Sequence, residues 1–227
     1  MKNQIIISLL FLSIGLSQRL SEVIETYENG NVKSITYHKK TRDGIQKVKE
    51  EGYFEKGQKE FEGSYKDGKK DGLWTVWYEN GQMEKDITYK DGKEDGFGTE
   101  WFENGQKKQE GTFKNREDGL VTLWFENGQK ESEINHKDGK FDGLWTDWYE
   151  NGKKQSETNY KNGKEDGLVT HWYENGQKSG EVTYKDGKPD GLYTVWYQNG
   201  LKQYEVTFKD GKLISRKDWN RDGSVKK

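Results

Sequence analysis

Leu73-Trp74-Thr75-Val76-Trp77-Tyr78-Glu79-Asn80-Gly81 is a β-branched and aromatic run that ends on an Asn-Gly pair. Such a run favours a strand, and Asn-Gly is a strong short-range signal for a hairpin turn. Met83 to Tyr89 supplies a second strand, and Asp91-Gly92-Lys93-Glu94-Asp95-Gly96 reads as a second tight turn. The phrase Trp77-Tyr78-Glu79-Asn80-Gly81 returns with small variations at 101–105, 124–128, 148–152, 172–176 and 196–200, in steps of 24, 23, 24, 24 and 24 residues. A fixed period in the range of about 20–50 residues marks one supersecondary unit copied and stacked. Weaker copies stand at 53–57 and 26–30, and a frayed one at 219–223. The short step falls at Lys114-Asn115-Arg116-Glu117-Asp118-Gly119, where one turn residue is missing. The expectation is an all-β chain, an elongated antiparallel meander or solenoid of tandem β-hairpins, with the repeat array over 18–223 and a short tail at 224–227.

Columns of the repeat separate into constant and variable positions. Leu73, Phe97, Leu120, Leu144, Leu168 and Leu192 form one column, Thr75 and its five copies the next, and the tryptophans at 77, 101, 124, 148, 172 and 196 a third. Alternate positions share a face, so these three columns predict one inner stripe that serves as the core. The intervening columns accept Glu100, Asp147 and His171 as well as Trp74, Trp145 and Tyr193. That variation predicts a wet face, and Trp74, Trp145, Tyr193 and His171 become the candidate partner contacts. An acidic column of Asp86, Glu110, Glu133, Glu157, Glu181 and Glu205, with lysines at 107, 130, 154, 178 and 202, reads as a charge ladder on a sheet.

These residues resemble the MORN-repeat family, and within it the bacterial variant repeats that read Asp-Gly-Leu-Trp-Thr, then Trp-Tyr-x-Asn-Gly, then Tyr-x-x-Gly. The resemblance covers nearly all of the chain after its first residues and is weakest at 26–57. It implies a β-hairpin solenoid with a non-catalytic interaction role. Some bacterial members are labelled antitoxin-like, and eukaryotic relatives are associated with membranes and scaffolding. The shared motif is the structural one, so neither association transfers residue by residue.

Composition narrows the function classes. Of 227 residues, 29% are hydrophobic and 34% charged, and 38 basic residues nearly balance 40 acidic ones. No strong field directs the chain toward nucleic acid or an anionic surface. Aromatics reach 14%, so the apolar material is concentrated in a few large rings that exclude water. Met1-Lys2-Asn3-Gln4 followed by the apolar run Ile5 to Leu16 predicts a signal peptide over 1–17 and an exported protein, periplasmic, cell-surface or extracellular. The run is too short to span a bilayer, so no transmembrane segment is expected in the mature chain. With no cysteine, disulfides and thiolate metal sites are excluded.

Chemistry-bearing patterns are sparse. Asp218-Trp219-Asn220-Arg221-Asp222-Gly223 opens like a calcium loop, but its twelfth position would fall beyond Lys227. His38, His136 and His171 occupy different units and columns, without metal-ligand spacing. No catalytic residue, metal or cofactor is expected. The sequence points to a binding or scaffold surface for a protein or a cell-envelope glycan, with toxin neutralisation and a secreted carbohydrate-active enzyme as competing readings. Exposed end strands around Tyr27 and Trp219 would also suit end-to-end self-association.

Overall fold

The structure, a computed structural model, describes residues 5–6, 20–114 and 118–226, with backbone alone at 5–6 and 113–114. The leader reading over 1–17 therefore lies outside the described residues, apart from Ile5–Ile6, a two-residue strand against Leu20–Thr26. The chain separates into two compact units, Met1–Lys107 with Phe113–Asn115, and Lys108–Thr112 with Arg116–Lys227. Among the described residues there is no helix, and each unit is an antiparallel meander. In the first, strands Leu20–Thr26, Val32–Thr41, Gly44–Tyr53, Lys59–Lys66, Lys69–Trp77, Met83–Lys90 and Lys93–Trp101 pair in chain order. In the second, the same order runs through Gly119–Trp124, Lys130–Lys137, Gly143–Trp148, Lys154–Lys161, Lys164–Trp172, Lys178–Lys185, Gly191–Trp196, Lys202–Lys209 and Lys212–Asp218.

Two turn types alternate, and they divide the work differently from the sequence expectation. The two-residue hairpin is Asp-Gly: Asp67 and Gly68 both have positive φ (50° and 76°), as do Asp91 and Gly92 (52° and 84°). That is the type I′ geometry, which matches the right-handed twist of the strands. The Asn-Gly end is a wider loop in which Tyr78 N–H bonds the Gln82 carbonyl and Gly81 N–H the Tyr78 carbonyl, both at 2.9 Å. Only Gly81 is left-handed there (φ 85°), while Asn80 Oδ1 accepts the Gln82 N–H at 2.9 Å.

The wide loops also bind one another. Tyr78 Oη donates to the Trp101 carbonyl at 2.7 Å, Tyr149 to that of Trp172 at 2.7 Å, Tyr173 to that of Trp196 at 2.7 Å and Tyr197 to that of Trp219 at 3.0 Å. Beside them Asn80 Nδ2 donates to the Glu103 carbonyl, and Asn127, Asn151, Asn175 and Asn199 repeat the bond one unit further on. Each loop therefore satisfies backbone groups of the next, which would otherwise be left to water.

The burial pattern reverses part of the sequence reading. The leucine column is exposed, from 41% at Leu144 to 56% at Phe97, and Trp74 on the supposedly wet face is 5% exposed. Cross-strand neighbours explain both results. Leu73 faces Thr88, Leu120 faces Asn135, Leu144 faces Asn159, Leu168 faces Thr183 and Leu192 faces Thr207, so only short side chains stand beside the leucines. The threonine column, by contrast, sits between acids, as Thr122 faces Glu133 and Thr146 faces Glu157. Lys130, Lys154, Lys178 and Lys202 pair with those acids and with Glu181 and Glu205. Threonines 75, 99, 122, 146, 170 and 194 are buried beneath these longer neighbours.

The row through Trp74 varies because it trades volume across strands. Gly63 faces Trp74, Ile87 faces Gly98, and Gly111 faces Val121. The indole of Trp74 lies over Gly63 so closely that a Cβ there would meet it at 2.1 Å. Ile87, Val169, Val182 and Val206 complete the buried apolar residues of these rows.

A charged cluster buttresses the first unit. Glu51 and Glu62 lie directly opposite each other, which alone would destabilise the pair. Lys49 Nζ stands 2.6 Å from Glu51 and 3.3 Å from Glu62, Lys59 Nζ stands 3.8 Å and 2.9 Å from the same two, and Tyr53 Oη donates to Glu51 at 2.6 Å. Burial acts to raise the Glu51 carboxyl, but the bonds from Lys49 and Tyr53 and the lysine charges outweigh it and hold it low. Glu62 is held low chiefly by its bond with Lys59.

Two outcomes follow for the first unit and one control in the second. Gly63→Ala should cost about 1–3 kcal/mol in urea unfolding by overpacking, whereas Gly180→Ala, whose Cβ would meet nothing closer than 3.6 Å, should be near neutral. Because Glu51 and Glu62 are held below their ordinary value, the unfolded chain takes up protons first as pH falls. Their contribution is full above the ordinary carboxyl value of 4.5 and is lost on acidification through the lower folded values. Urea unfolding at pH 7 and pH 3 should show a smaller acid loss in a Glu51→Gln, Glu62→Gln double variant.

Candidate functional site

Two features stand out against the repeat background. The first is the exposed leucine column, with Leu73 and Phe97 in the first unit and Leu120, Leu144, Leu168 and Leu192 in the second. Neighbouring hairpins repeat every two strands, so successive leucines lie on the order of 10 Å apart. In the second unit the row alternates with Asn135, Asn159, Thr183 and Thr207. Asn135 and Asn159 use their Nδ2 groups on the Leu144 and Leu168 carbonyls, at 2.9 and 2.8 Å. The two asparagines are thus bonded along the sheet, and the leucines between the polar members stay open to contact.

The second feature is the aromatic face, where the four candidate contact residues sit in different settings. Trp74 is buried, stacked on Phe61 at 6.0 Å and met edge-on by Tyr65 at 5.3 Å, with its Nε1 on the Ser64 carbonyl. An exposed-contact role for Trp74 is thereby corrected: the small Gly63 opposite lets the indole lie flat into the sheet. Trp145 is half-buried against Phe141 at 4.8 Å and Tyr160 at 5.8 Å. Tyr193 is half-buried and meets Tyr204 edge-on at 5.8 Å. His171 is exposed.

His171 and Tyr193 come together; Trp145 belongs to another cluster. They line a cavity of about 190 Å³ in the second unit with Glu165, Tyr184, Pro189 and Phe208, above Thr158, Val169 and Val182. Burial and then the bond with Tyr204 push the Tyr193 hydroxyl up to about 12. Burial and then the Glu165 charge raise that of Tyr184. Glu165, Tyr184 and Phe208 were not singled out by column comparison, because each belongs to a recurring type. The signal that marks the place is Pro189, the single proline of the chain, at the repeat position that Lys70 occupies earlier.

The polar members of this face are otherwise compensated. Asp147 accepts Ser132 Oγ, Ser156 Oγ and Trp145 Nε1, each at 2.7 Å. A serine that donates straight to a carboxylate lacks the intervening imidazole that activates a nucleophile, so this cluster satisfies a half-buried acid. Glu100 pairs with Lys85 at 3.2 Å. In the calcium-like segment, the Asp218 carboxylate is gripped by Arg216 through two bonds of 2.9 Å, and Asp222 by Ser224. Among the described residues no group of three or more His, Asp or Glu side chains converges as a metal site.

No curated protein matches the chain. The sequence profile of the MORN repeat variant matches residues 70–91, 95–115, 117–138, 141–162, 165–186 and 189–210, six tandem copies that together span more than half of the chain. Their spacing follows the hairpin period, and the copies at 70–91, 117–138, 141–162, 165–186 and 189–210 each end on the first residue of an Asp-Gly or Asn-Gly pair. The chain belongs to the MORN repeat variant family.

Proposed function

We propose that this protein is an exported, non-catalytic scaffold whose leucine stripe binds a partner protein. The observation that carries the reading is the exposure of the same large apolar side chain in repeat after repeat, at Leu120, Leu144, Leu168 and Leu192 in one unit. Regularly placed apolar surface of this kind marks an interaction site, whereas scattered exposed leucines need no explanation. MORN repeats are commonly binding modules, and the apolar leader at Ile5 to Leu16 supports export.

The spacing defines the partner. An α-helix places residues seven apart at about 10.5 Å along one side, close to the roughly 10 Å between leucines. The stripe fits an amphipathic helix with apolar residues at heptad intervals, laid across the strands. Leu120, Leu144, Leu168 and Leu192 changed together to Ser should leave stability within about 0.5 kcal/mol per site, because all four are exposed. The same variant should lose capture of its protein partner from envelope extract of the source cell. Equal capture by both forms, or retention by a glycan array alone, would exclude the stripe as the protein-binding surface.

A further inference from the structure

One aromatic trio is built twice in this chain, by the same strand register. In the first unit Tyr65 faces Lys70, Trp74 faces Ile87 and Tyr89 faces Gly72. In the second Tyr184 faces Pro189, Tyr193 faces Val206 and Phe208 faces Gly191. Lys70 and Pro189 hold the same place in the two copies, while Trp74 and Tyr89 of the first give way to Tyr193 and Phe208 in the second. Lys70 folds its ammonium into the first trio, with Nζ 3.8 Å from the Trp74 centroid and 5.1 Å from that of Tyr89. Burial holds the Lys70 ammonium below the ordinary lysine value, and the charges of Glu50 and Glu94 only partly oppose that, with Lys85 acting in the same direction as burial.

Pro189 cannot supply that ammonium, and the second trio borders the cavity of about 190 Å³ instead. The Glu165 carboxylate forms part of the wall, close enough to act on the Tyr184 hydroxyl. Among the described residues Glu165 has no ion-pair partner, in contrast to Glu133, Glu157, Glu181 and Glu205. No lysine or arginine lines the cavity. Aromatic faces with a carboxylate that lacks a cation complement an ammonium ion, which ring quadrupoles attract within about 6 Å. The volume is below the roughly 300–1,000 Å³ of drug-sized pockets, which suits a headgroup or the end of a side chain.

We propose that the cavity walled by Glu165, Tyr184, Tyr193 and Phe208 binds an alkylammonium group, in the place that Lys70 fills internally in the first unit. The site uses residues other than the leucine stripe, so it stands or falls separately from that surface. The whole protein is titrated with choline, with Nα-acetyl-lysine methylamide and with 3,3-dimethylbutan-1-ol, the uncharged isostere of choline, while tyrosine ring resonances are followed by NMR. At least one ammonium compound should give saturable shifts, and the alcohol should bind about fivefold or more weakly. Saturation by choline alone assigns a lipid or polymer headgroup, and saturation by the lysine derivative a protein side chain. Pro189→Lys, which restores the residue found at 70, should abolish binding with the thermal transition retained, and Glu165→Gln should weaken it several-fold. Absence of saturation with both ammonium compounds, equal affinity for the alcohol, or undiminished binding in folded Pro189→Lys and Glu165→Gln would overturn the assignment.

Discussion

The bond from a loop tyrosine to a backbone carbonyl of the next repeat, a tryptophan's at Tyr78, Tyr149, Tyr173 and Tyr197, is the constraint on which the rest depends. Tyr149 to Trp172 and Tyr173 to Trp196, at 2.7 Å each, fix how far one hairpin may slide against its neighbour. Register matters more in a sheet than in a helix bundle, because a slip of one residue turns every side chain to the opposite face. With the loops locked by these tyrosines and by Asn151 and Asn175, the threonine row meets its acids and the aromatic row meets its small partners. The chain has little aliphatic material to select a register by burial, so hydrogen bonds at the loop edge supply that selection.

Much of the architecture was legible in the residues. The period, the hairpin and the position of length changes follow from turn chemistry and β-branched runs, which act locally. Which of the two turns was the tighter was not legible from dipeptides alone. Asn80-Gly81 and Asp91-Gly92 both permit left-handed backbone, and the wider loop won at the first because Asn80 serves two other bonds, to its own Gln82 and to Glu103. Burial was harder still. Constancy of Leu73, Leu144 and Leu168 looked like a core, whereas their cross-strand neighbours are too short to cover them.

The candidate site shows the same limit from the other side. Trp74 and Gly98 share a column, and Trp74 looks like a free surface aromatic until Gly63 is known to lie opposite. A column can vary and still be interior when each substitution is matched across the strand. His171 and Tyr193 line one cavity, whereas Glu165 and Tyr184 beside them recur too regularly in the repeat to draw attention. The place that Pro189 holds is variable, reading Lys70, Glu94, Glu117, Phe141, Glu165 and Pro189 in successive copies, and Pro189 stands out there as the single proline of the chain.

The frayed final copy closes the second unit with the bonds used inside it: Tyr197 reaches the Trp219 carbonyl and Asn199 that of Arg221. Nothing in those contacts depends on the copy being last. A further hairpin of the same kind could reuse these loop bonds, so array length is a quantity that selection can alter in single steps, provided that each new strand pair keeps the volume matching seen at Gly63 with Trp74 and Ile87 with Gly98.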